Sequence, residues 1–286
     1  MKEFKKLVLV DGHNLLFRMF YGVPARMRSK DGKLLNAVIG FMGAILRYIQ
    51  LFKSDYFLII FDSEQPTFRN YEYKEYKKNR QTDFKNIEND ENPFVQLDII
   101  KELLDLLHIK YCEIGGYETD DIIASYIQKY PEIESYIISA DTDMLQLVND
   151  KVSLFVDRGK NSVLYDKNKV LEKYNIKPEN IIDYKALVGD KSDNISGIFG
   201  IGNKTAAKLI NNYGSIESII NSLKIINPDS LKKKIETNIN KLIFNKSLVK
   251  LYSNLNLPIS LHNLKIDYKE FYNKKTIEIL KINDYI

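Results

Sequence analysis

Cysteine is nearly absent: Cys112 stands alone among 286 residues, so no intramolecular disulfide can form and a disulfide-stapled scaffold is excluded. Long apolar runs are missing too. The longest, such as Tyr56 to Phe61, fall far short of the ~20 residues a membrane helix needs. The lysine-rich start meets only Leu7 to Val10 before Asp11, which leaves no room for a secretory signal. Histidine occurs three times, and no His/Cys cluster has the spacing of a zinc site. No internal repeat is visible. What remains is ordinary globular material, 44% hydrophobic and 28% charged, long enough for one large or two modest domains with real cores. A soluble, cytoplasmic, monomeric protein with no membrane partner is expected.

Charge of one sign is scarce as well: 42 Lys+Arg against 38 Asp+Glu leave a net +4, too mild to imply nucleic acid by itself. Its distribution says more. If the nine carboxylates described below are gathered in one site, the rest of the chain carries +13, a clear surplus for a polyanion.

Lys6 to Val10, Tyr56 to Phe61, Lys110 to Ile114 and Tyr136 to Ser139 read as short buried strands. Between them, Asn36 to Phe52 carries Val38, Phe41, Met42, Ile45, Ile49 and Phe52 at helical spacing, and Pro93 opens a helix bearing Phe94, Leu97, Ile100, Leu104 and Leu107. This β-α-β-α order predicts an α/β fold with a mostly parallel sheet flanked by helices, and ligands at the carboxyl ends of its strands. After about Lys167 strand signals fade, and amphipathic stretches at Pro178 to Val188, Thr205 to Tyr213, Ser215 to Leu223 and Ser230 to Leu251 predict a helical C-terminal region. The expected division is an α/β core over 1–175 and a helical region over 176–286. Between them in function, the polar stretch of about 67–92 is too long for an idle loop and reads as an arch or lid.

Three strands end in aspartate: Asp11 follows "LVLV", Asp62 follows "FLIIF" and Asp141 follows "YIISA". One such residue would be a helix cap or turn former. Three converge on the ligand edge of the sheet. "YETDD" adds Glu118, Asp120 and Asp121 at a helix start, "SADTD" adds Asp143, and "GDKSDN" adds Asp190 and Asp193. Nine clustered carboxylates repel one another unless cations join them, and oxygen-only donors favour Mg²⁺, with Mn²⁺ as substitute. A two-metal site of that kind suits phosphodiester hydrolysis. His13 is assigned a polar structural role in the "DGHN" turn rather than a ligand's.

In "FRNYEYKEYKKNR", Arg69, Lys74, Lys77, Lys78 and Arg80 interleave with Tyr71, Tyr73 and Tyr76. Cations there can hold phosphates while aromatic faces stack on bases. "GIFGIGNKTAAKLI" frames a tight turn with Gly197, Gly200 and Gly202 and opens a helix near Lys204 and Thr205, a cradle for the backbone of duplex DNA.

Taken together, "LVDGHNLLFR", Gly40 and Phe41, "FD" at Asp62, "FR…EYKKNR", "GYETDD", "SADTDMLQLV" and "DYKALVGDKSDNISGIFGIGNKTAAKL" resemble the 5′ nucleases, the 5′→3′ exonuclease domain of bacterial DNA polymerase I and its flap-endonuclease relatives. The resemblance runs over nearly the whole chain and implies a PIN-like core with a helix-hairpin-helix motif at about 186–213. It implies that Asp62, Glu118, Asp120 and Asp141 serve chiefly a first metal, with Asp11 orienting its waters and Asp121 nearby, and that Asp143, Asp190 and Asp193 hold a second. Asp62 and Asp141 thereby count as catalytic. So do Lys77, similar to the family's arch lysine that meets the scissile phosphate, and Arg80, its partner. Arg18 matches a phosphate contact, Arg69 falls among the arch cations, and Tyr76 is similar to an aromatic that stacks on the nucleotide near the cut. The hairpin resembles one that binds K⁺ through carbonyls in relatives. Asn70 departs from the family's usual His.

The implied function is structure-specific 5′→3′ exonuclease and 5′-flap endonuclease activity on flaps, nicked duplex or RNA primers on DNA, in primer removal and repair. Because the chain ends where the nuclease domain ends, a freestanding form is expected, with a polymerase on another chain as possible partner. A PIN- or NYN-type ribonuclease and a non-catalytic binder of branched DNA remain alternatives; an Asp-nucleophile phosphatase is disfavoured by "DGHN", which lacks a second Asp two residues after Asp11.

Overall fold

The computed structural model describes residues 5–23, 28–30, 32–80 and 89–271; of Arg80, Asn89, Glu270 and Phe271 it describes the backbone alone. The elements in chain order are β1 (Lys6–Asp11), α1 (Gly12–Gly22), α2 (Asn36–Phe52), β2 (Tyr56–Ile60), α3 (Phe68–Glu72), α4 (Leu97–Leu106), β3 (Tyr111–Cys112), α5 (Thr119–Lys129), β4 (Glu134–Ile138), β5 (Val152–Val156) and β6 (Val163–Tyr165). They continue with α6 (Lys167–Tyr174), α7 (Ile181–Val188), β7 (Gly189–Asp190), β8 (Ile195–Ser196), α8 (Asn203–Tyr213), α9 (Ile216–Asn221), α10 (Asp229–Glu236), α11 (Ile239–Val249) and α12 (Tyr268–Phe271).

The first six strands form one sheet in the order β3-β2-β1-β4-β5-β6, parallel except for β6. Because side chains alternate across a strand, the central strands feed two cores. Leu7, Leu9, Leu58, Ile60 and Ile137 join Ile122, Ile123 and Tyr126 of α5 and the C-terminal helices on one face. Val8, Val10, Phe57 and Ile59 join α1, α2 and α4 on the other. Parallel pairing of Leu9 with both Leu58 and Ile137 sets the carboxyl ends of β1, β2 and β4 side by side. That register brings Asp11, Asp62 and Asp141 to one edge.

Helix α2 runs over the expected residues, yet its N-cap, Leu35, offers no side-chain hydrogen bond. Gln96 supplies one from a distant turn, its Oε1 accepting the Ala37 and Val38 N–H groups at 3.0 and 3.1 Å. The helix expected from Pro93 begins instead as a 3₁₀ turn over Pro93–Gln96 before α4. The expected strand of Lys110 to Ile114 shrinks to two residues, while β5 and β6 extend the sheet beyond the strands predicted from sequence. Ser230 to Leu251 is two helices rather than one. Thr237 Oγ1 and Asn238 Nδ2 donate to the Lys233 and Lys234 carbonyls, each at 2.8 Å, and close α10.

In the C-terminal region α7 packs on α11, where Asn245 Nδ2 donates to the Ala186 and Ser196 carbonyls, each at 3.0 Å. The β7–β8 hairpin pairs Gly189 with Ser196 and Asp190 with Ile195. Gly189 adopts φ +80°, and a Cβ on Gly197 would lie 2.2 Å from the Val188 carbonyl carbon, so this crossing tolerates no side chain. Among the described residues no helix is long and apolar enough to cross a membrane.

Gly197→Ala is expected to force these backbones apart and to cost about 1–3 kcal/mol, read as a lower urea midpoint; an unchanged midpoint would show that the crossing yields freely.

Candidate metal centre and nucleic-acid interface

Each acid reaches the site for a local reason. Asp11 caps α1, accepting the Asn14 N–H at 3.0 Å, and also takes the Ser139 hydroxyl at 2.8 Å. Asp62, two residues past β2, accepts the Thr119 N–H at 2.8 Å and so ties β2 to the start of α5. Asp141 caps the 3₁₀ turn that follows β4, accepting the Asp143 N–H at 2.9 Å. Asp120, Asp141 and Asp143 bring carboxylate oxygens within 4.8 Å of one another. Buried oxygens that close repel unless a cation lies among them, and hard donors of this type fit a divalent metal.

The protonation behaviour follows from burial and like charge. Burial and then the neighbouring Asp62 charge push Asp11 up to about 7. Burial, then Asp141 and Asp11, hold Asp120 well above the usual carboxylate range. Asp143 rises to about 7, driven by burial against the pull of Lys185 and with the help of Asp141. Asp62 goes the other way. Burial opposes its charge, but His13 and the Thr119 N–H outweigh that and hold it below the usual range. His13, assigned only to the turn from sequence, accepts the Asp62 N–H at 3.0 Å and lies 3.3 Å from an Asp62 carboxylate oxygen.

Protein cations border the acids on two sides. Lys77 places Nζ 2.9 Å from Glu118 and its backbone N–H 3.1 Å from the Asp193 carbonyl, with φ at 51°, a left-handed conformation uncommon outside glycine. Lys185, buried on α7, bridges Asp143 and Asp190, with Nζ 2.8 Å from the latter. Lys185 holds Asp190 down to about 2, against burial, aided by Ser192. Nothing in the sequence reading picked out Lys185; a lone lysine inside the apolar run "IIDYKALV" was the available signal. Asp190 and Asp193 lie on this flank, outside the three-carboxylate group.

Four expected roles are corrected. Asp121 is fully buried, and both its oxygens are taken by Arg69 at 2.7 and 2.8 Å, with the Tyr252 N–H at 2.8 Å, so it is a structural anchor rather than a metal ligand. Arg69, expected on DNA, is 1% exposed and also donates to the Leu248 and Lys250 carbonyls, each at 2.9 Å. Tyr76, expected as a stacking platform, is 2% exposed, its hydroxyl donating toward Glu118 at 3.1 Å and Asp193 at 3.2 Å. Its ring faces the protein.

Arg18 also turns inward. It donates to the Asp157 carbonyl at 2.6 Å and the Tyr48 hydroxyl at 2.5 Å, and pairs with the Asp157 carboxylate at 2.9 Å, where Arg47 pairs too. Asp157 follows β5 as the other strand-end aspartates follow theirs, a signal present in "LFVD". Its partners make it a holder of cations. Of the stretch expected to form an arch, α3, a 3₁₀ turn at Lys78–Arg80 and another at Asn89–Glu91 are described; the Arg80 side chain and residues 81–88 lie outside the described residues. A cavity of about 640 Å³ is lined by Asp62, Asn70, Lys74, Lys77, Tyr117 and Glu118 among others.

At the glycine hairpin, Gly202 caps α8, with Lys204 and Thr205 in its first turn. The Gly197 carbonyl accepts Lys241 Nζ at 2.9 Å and the Gly200 carbonyl accepts Lys234 Nζ at 3.4 Å.

The family model described as "5'-3' exonuclease, N-terminal resolvase-like domain" matches residues 6–175, and that described as "5'-3' exonuclease, C-terminal SAM fold" matches residues 176–271. The chain belongs to the 5′-3′ exonuclease family. Among its relatives, the 5′-3′ exonuclease of Aquifex aeolicus is 35% identical over 264 residues, 92% of this chain and 87% of that protein. DNA polymerase I of Bacillus subtilis is 35% identical over 285 residues, 98% of this chain; the chain spans only 31% of that polymerase's length. Among solved structures, the 5′-exonuclease of phage T5 with bound zinc superposes with a TM-score of 0.73 at 26% identity, covering 87% of this chain and 90% of that one. A complex of T5 D15 flap endonuclease with DNA and metal ions gives a TM-score of 0.73 at 25% identity, with the same coverage. The PIN-like core and helical C-terminal region expected from sequence are thus the family's fold.

Two predictions follow from the charges. Arg69→Met leaves Asp121 buried without a partner and is expected to cost about 3–5 kcal/mol, whereas adding Asp121→Asn should recover part of the loss in urea unfolding; equal losses would show no coupling. For Asp11 and Asp143 the folded state holds protons up to about 7, while the unfolded chain releases them near about 4. These groups therefore make the metal-free protein less stable as pH rises between those values, with the full cost above 7. Millimolar divalent cation should flatten that slope in thermal melts; a slope indifferent to metal would separate these acids from a metal site.

Proposed function

We propose that the chain is a divalent-metal-dependent 5′→3′ exonuclease and 5′-flap endonuclease that hydrolyses DNA phosphodiesters near the junction of single and double strands. The observation that carries this reading is the gathering of Asp11, Asp62, Glu118, Asp120, Asp141 and Asp143 at one edge of a parallel sheet, beneath an arch that brings Lys77 to the same edge. Asp120, Asp141 and Asp143 would hold one ion, with Asp11, Asp62 and Glu118 beside them and Asp190 and Asp193 toward a second. Mg²⁺ is the proposed metal, with Mn²⁺ as substitute. Bound there, it supplies a nucleophile from water at neutral pH and neutralises charge on the leaving oxygen.

The chain's own groups do the positioning. Lys77, released from Glu118 by an incoming phosphate, offers a point charge to its non-bridging oxygens as negative charge develops. Arg80, three residues on, is the proposed second cation. The Thr119 N–H donated to Asp62 favours the ionised form of this carboxylate. The hairpin from Gly197 to Gly202, with Lys204 and Thr205, is proposed to hold the duplex by its phosphates, independent of sequence. Any K⁺ bound there would use carbonyls other than those facing Lys234 and Lys241.

We assign catalysis to residues 1–175 and duplex binding to 176–286. Flaps, nicked duplex and RNA primers on DNA are the proposed substrates, which places the chain in primer removal and repair beside a DNA polymerase.

The test is a 5′-labelled double-flap DNA, with matched single strand, duplex and RNA flap, in Mg²⁺, Mn²⁺ and EDTA. Cutting at the flap junction that needs metal is expected. Asp141→Asn and Lys77→Met should each slow single-turnover cleavage by about 10²-fold or more while flap binding in Ca²⁺ persists. Wild-type binding without cleavage in any divalent metal would reduce the protein to a binder of branched DNA.

A further inference from the structure

We propose that Phe199 is an apolar contact between the glycine hairpin and the duplex arm of the substrate, seated against the deoxyribose edges of the minor groove; the inference rests on the nuclease reading above. Phe199 is 96% exposed, whereas the next most exposed described phenylalanine, Phe244, stands at 38%. The turn that displays it is rigid. Ile198 and Ile201 are 3% and 4% exposed and anchor in the core the turn that carries Phe199 and Gly200 between them. The Ile201 N–H donates to the Ile198 carbonyl at 3.0 Å, the Ile198 N–H to the Leu187 carbonyl at 2.8 Å, and Lys241 and Lys234 hold the flanking glycine carbonyls. The backbone beneath the ring is thus ordered before binding.

The surroundings select the occupant. No Asp or Glu lies between Asp193 and Glu217, and Lys204 and Lys208 on α8 have no carboxylate partner among the described residues. An apolar tip set in unneutralised positive charge matches a surface that alternates phosphate with sugar, which is the backbone of duplex DNA, rather than the apolar face of a protein. The polar atoms of the hairpin would take phosphates, and Phe199 would take the sugars between them.

The experiment compares wild type, Phe199→Ala and Phe199→Leu on one double-flap DNA, measuring Kd in Ca²⁺ across a range of salt and single-turnover cleavage across DNA concentration. Phe199→Ala is expected to raise Kd and KM about tenfold, to keep the rate at saturating DNA and to leave the melting temperature unchanged. The slope of log K against log salt should stay as in wild type, because no phosphate contact is lost, while Lys204→Ala should reduce it. Phe199→Leu should recover most of the affinity. Unchanged affinity in Phe199→Ala, an equal loss on single-stranded DNA, or a change in oligomeric state would each overturn the duplex contact. A wild-type chain that neither binds nor cuts flap DNA would overturn the nuclease reading and this contact with it; one that binds and cuts while Phe199→Ala matches it would overturn the contact alone.

Discussion

Like charges held a few ångströms apart in a poorly solvated cleft repel strongly, and most of the molecule around the acid cluster answers that repulsion. Burial raises Asp11, Asp120 and Asp143, so that part of the cluster carries protons when no metal is present. Lys77 pairs with Glu118, and Lys185 pairs with Asp143 and Asp190. A site so arranged is short of positive charge and ready for divalent cations.

A second constraint links this site to the C-terminal region. Asp121 sits three residues after Glu118 on α5, and the fork of Arg69 joins it to the carbonyls of Leu248 and Lys250 at the end of α11. Arg69 belongs to the first turn of the arch. One buried ion pair therefore ties α3, the start of α5 and the end of α11 to one another. Asp183 does similar work further along, accepting the Ile216 N–H at 2.9 Å and Lys246 at 2.6 Å. The Arg69–Asp121 pair thus links the acid-bearing edge to α11, and Asp183 links α7, α9 and α11 within the C-terminal region.

The strand-end aspartates were legible because two simple rules meet at them: parallel strands present ligands at their carboxyl ends, and a carboxylate just past a buried strand sits at that edge. The hairpin was legible because only glycine allows the crossing at Gly189 and Gly197. Arg69 and Tyr76 were misread for a common reason. Within a run such as "FRNYEYKEYKKNR", every cation and aromatic looks equally available, and nothing local distinguishes the one that turns inward. Lys185 and Asp157 went unnoticed because their partners lie on other elements, 42 residues away for the Lys185–Asp143 pair.

Sequence by itself determined the alternation of strands and helices, the helical C-terminal region, the acids at the strand ends and the glycine turn, since each depends on periodicity or backbone freedom within a few residues. Tertiary structure alone decided which charges face one another. Whether Arg69 meets a phosphate or Asp121, and whether Tyr76 meets a base or Glu118, depends on which distant element packs over the side chain and removes its water. Desolvation then makes a buried pairing obligatory, and it arises only when the whole chain has closed around the site.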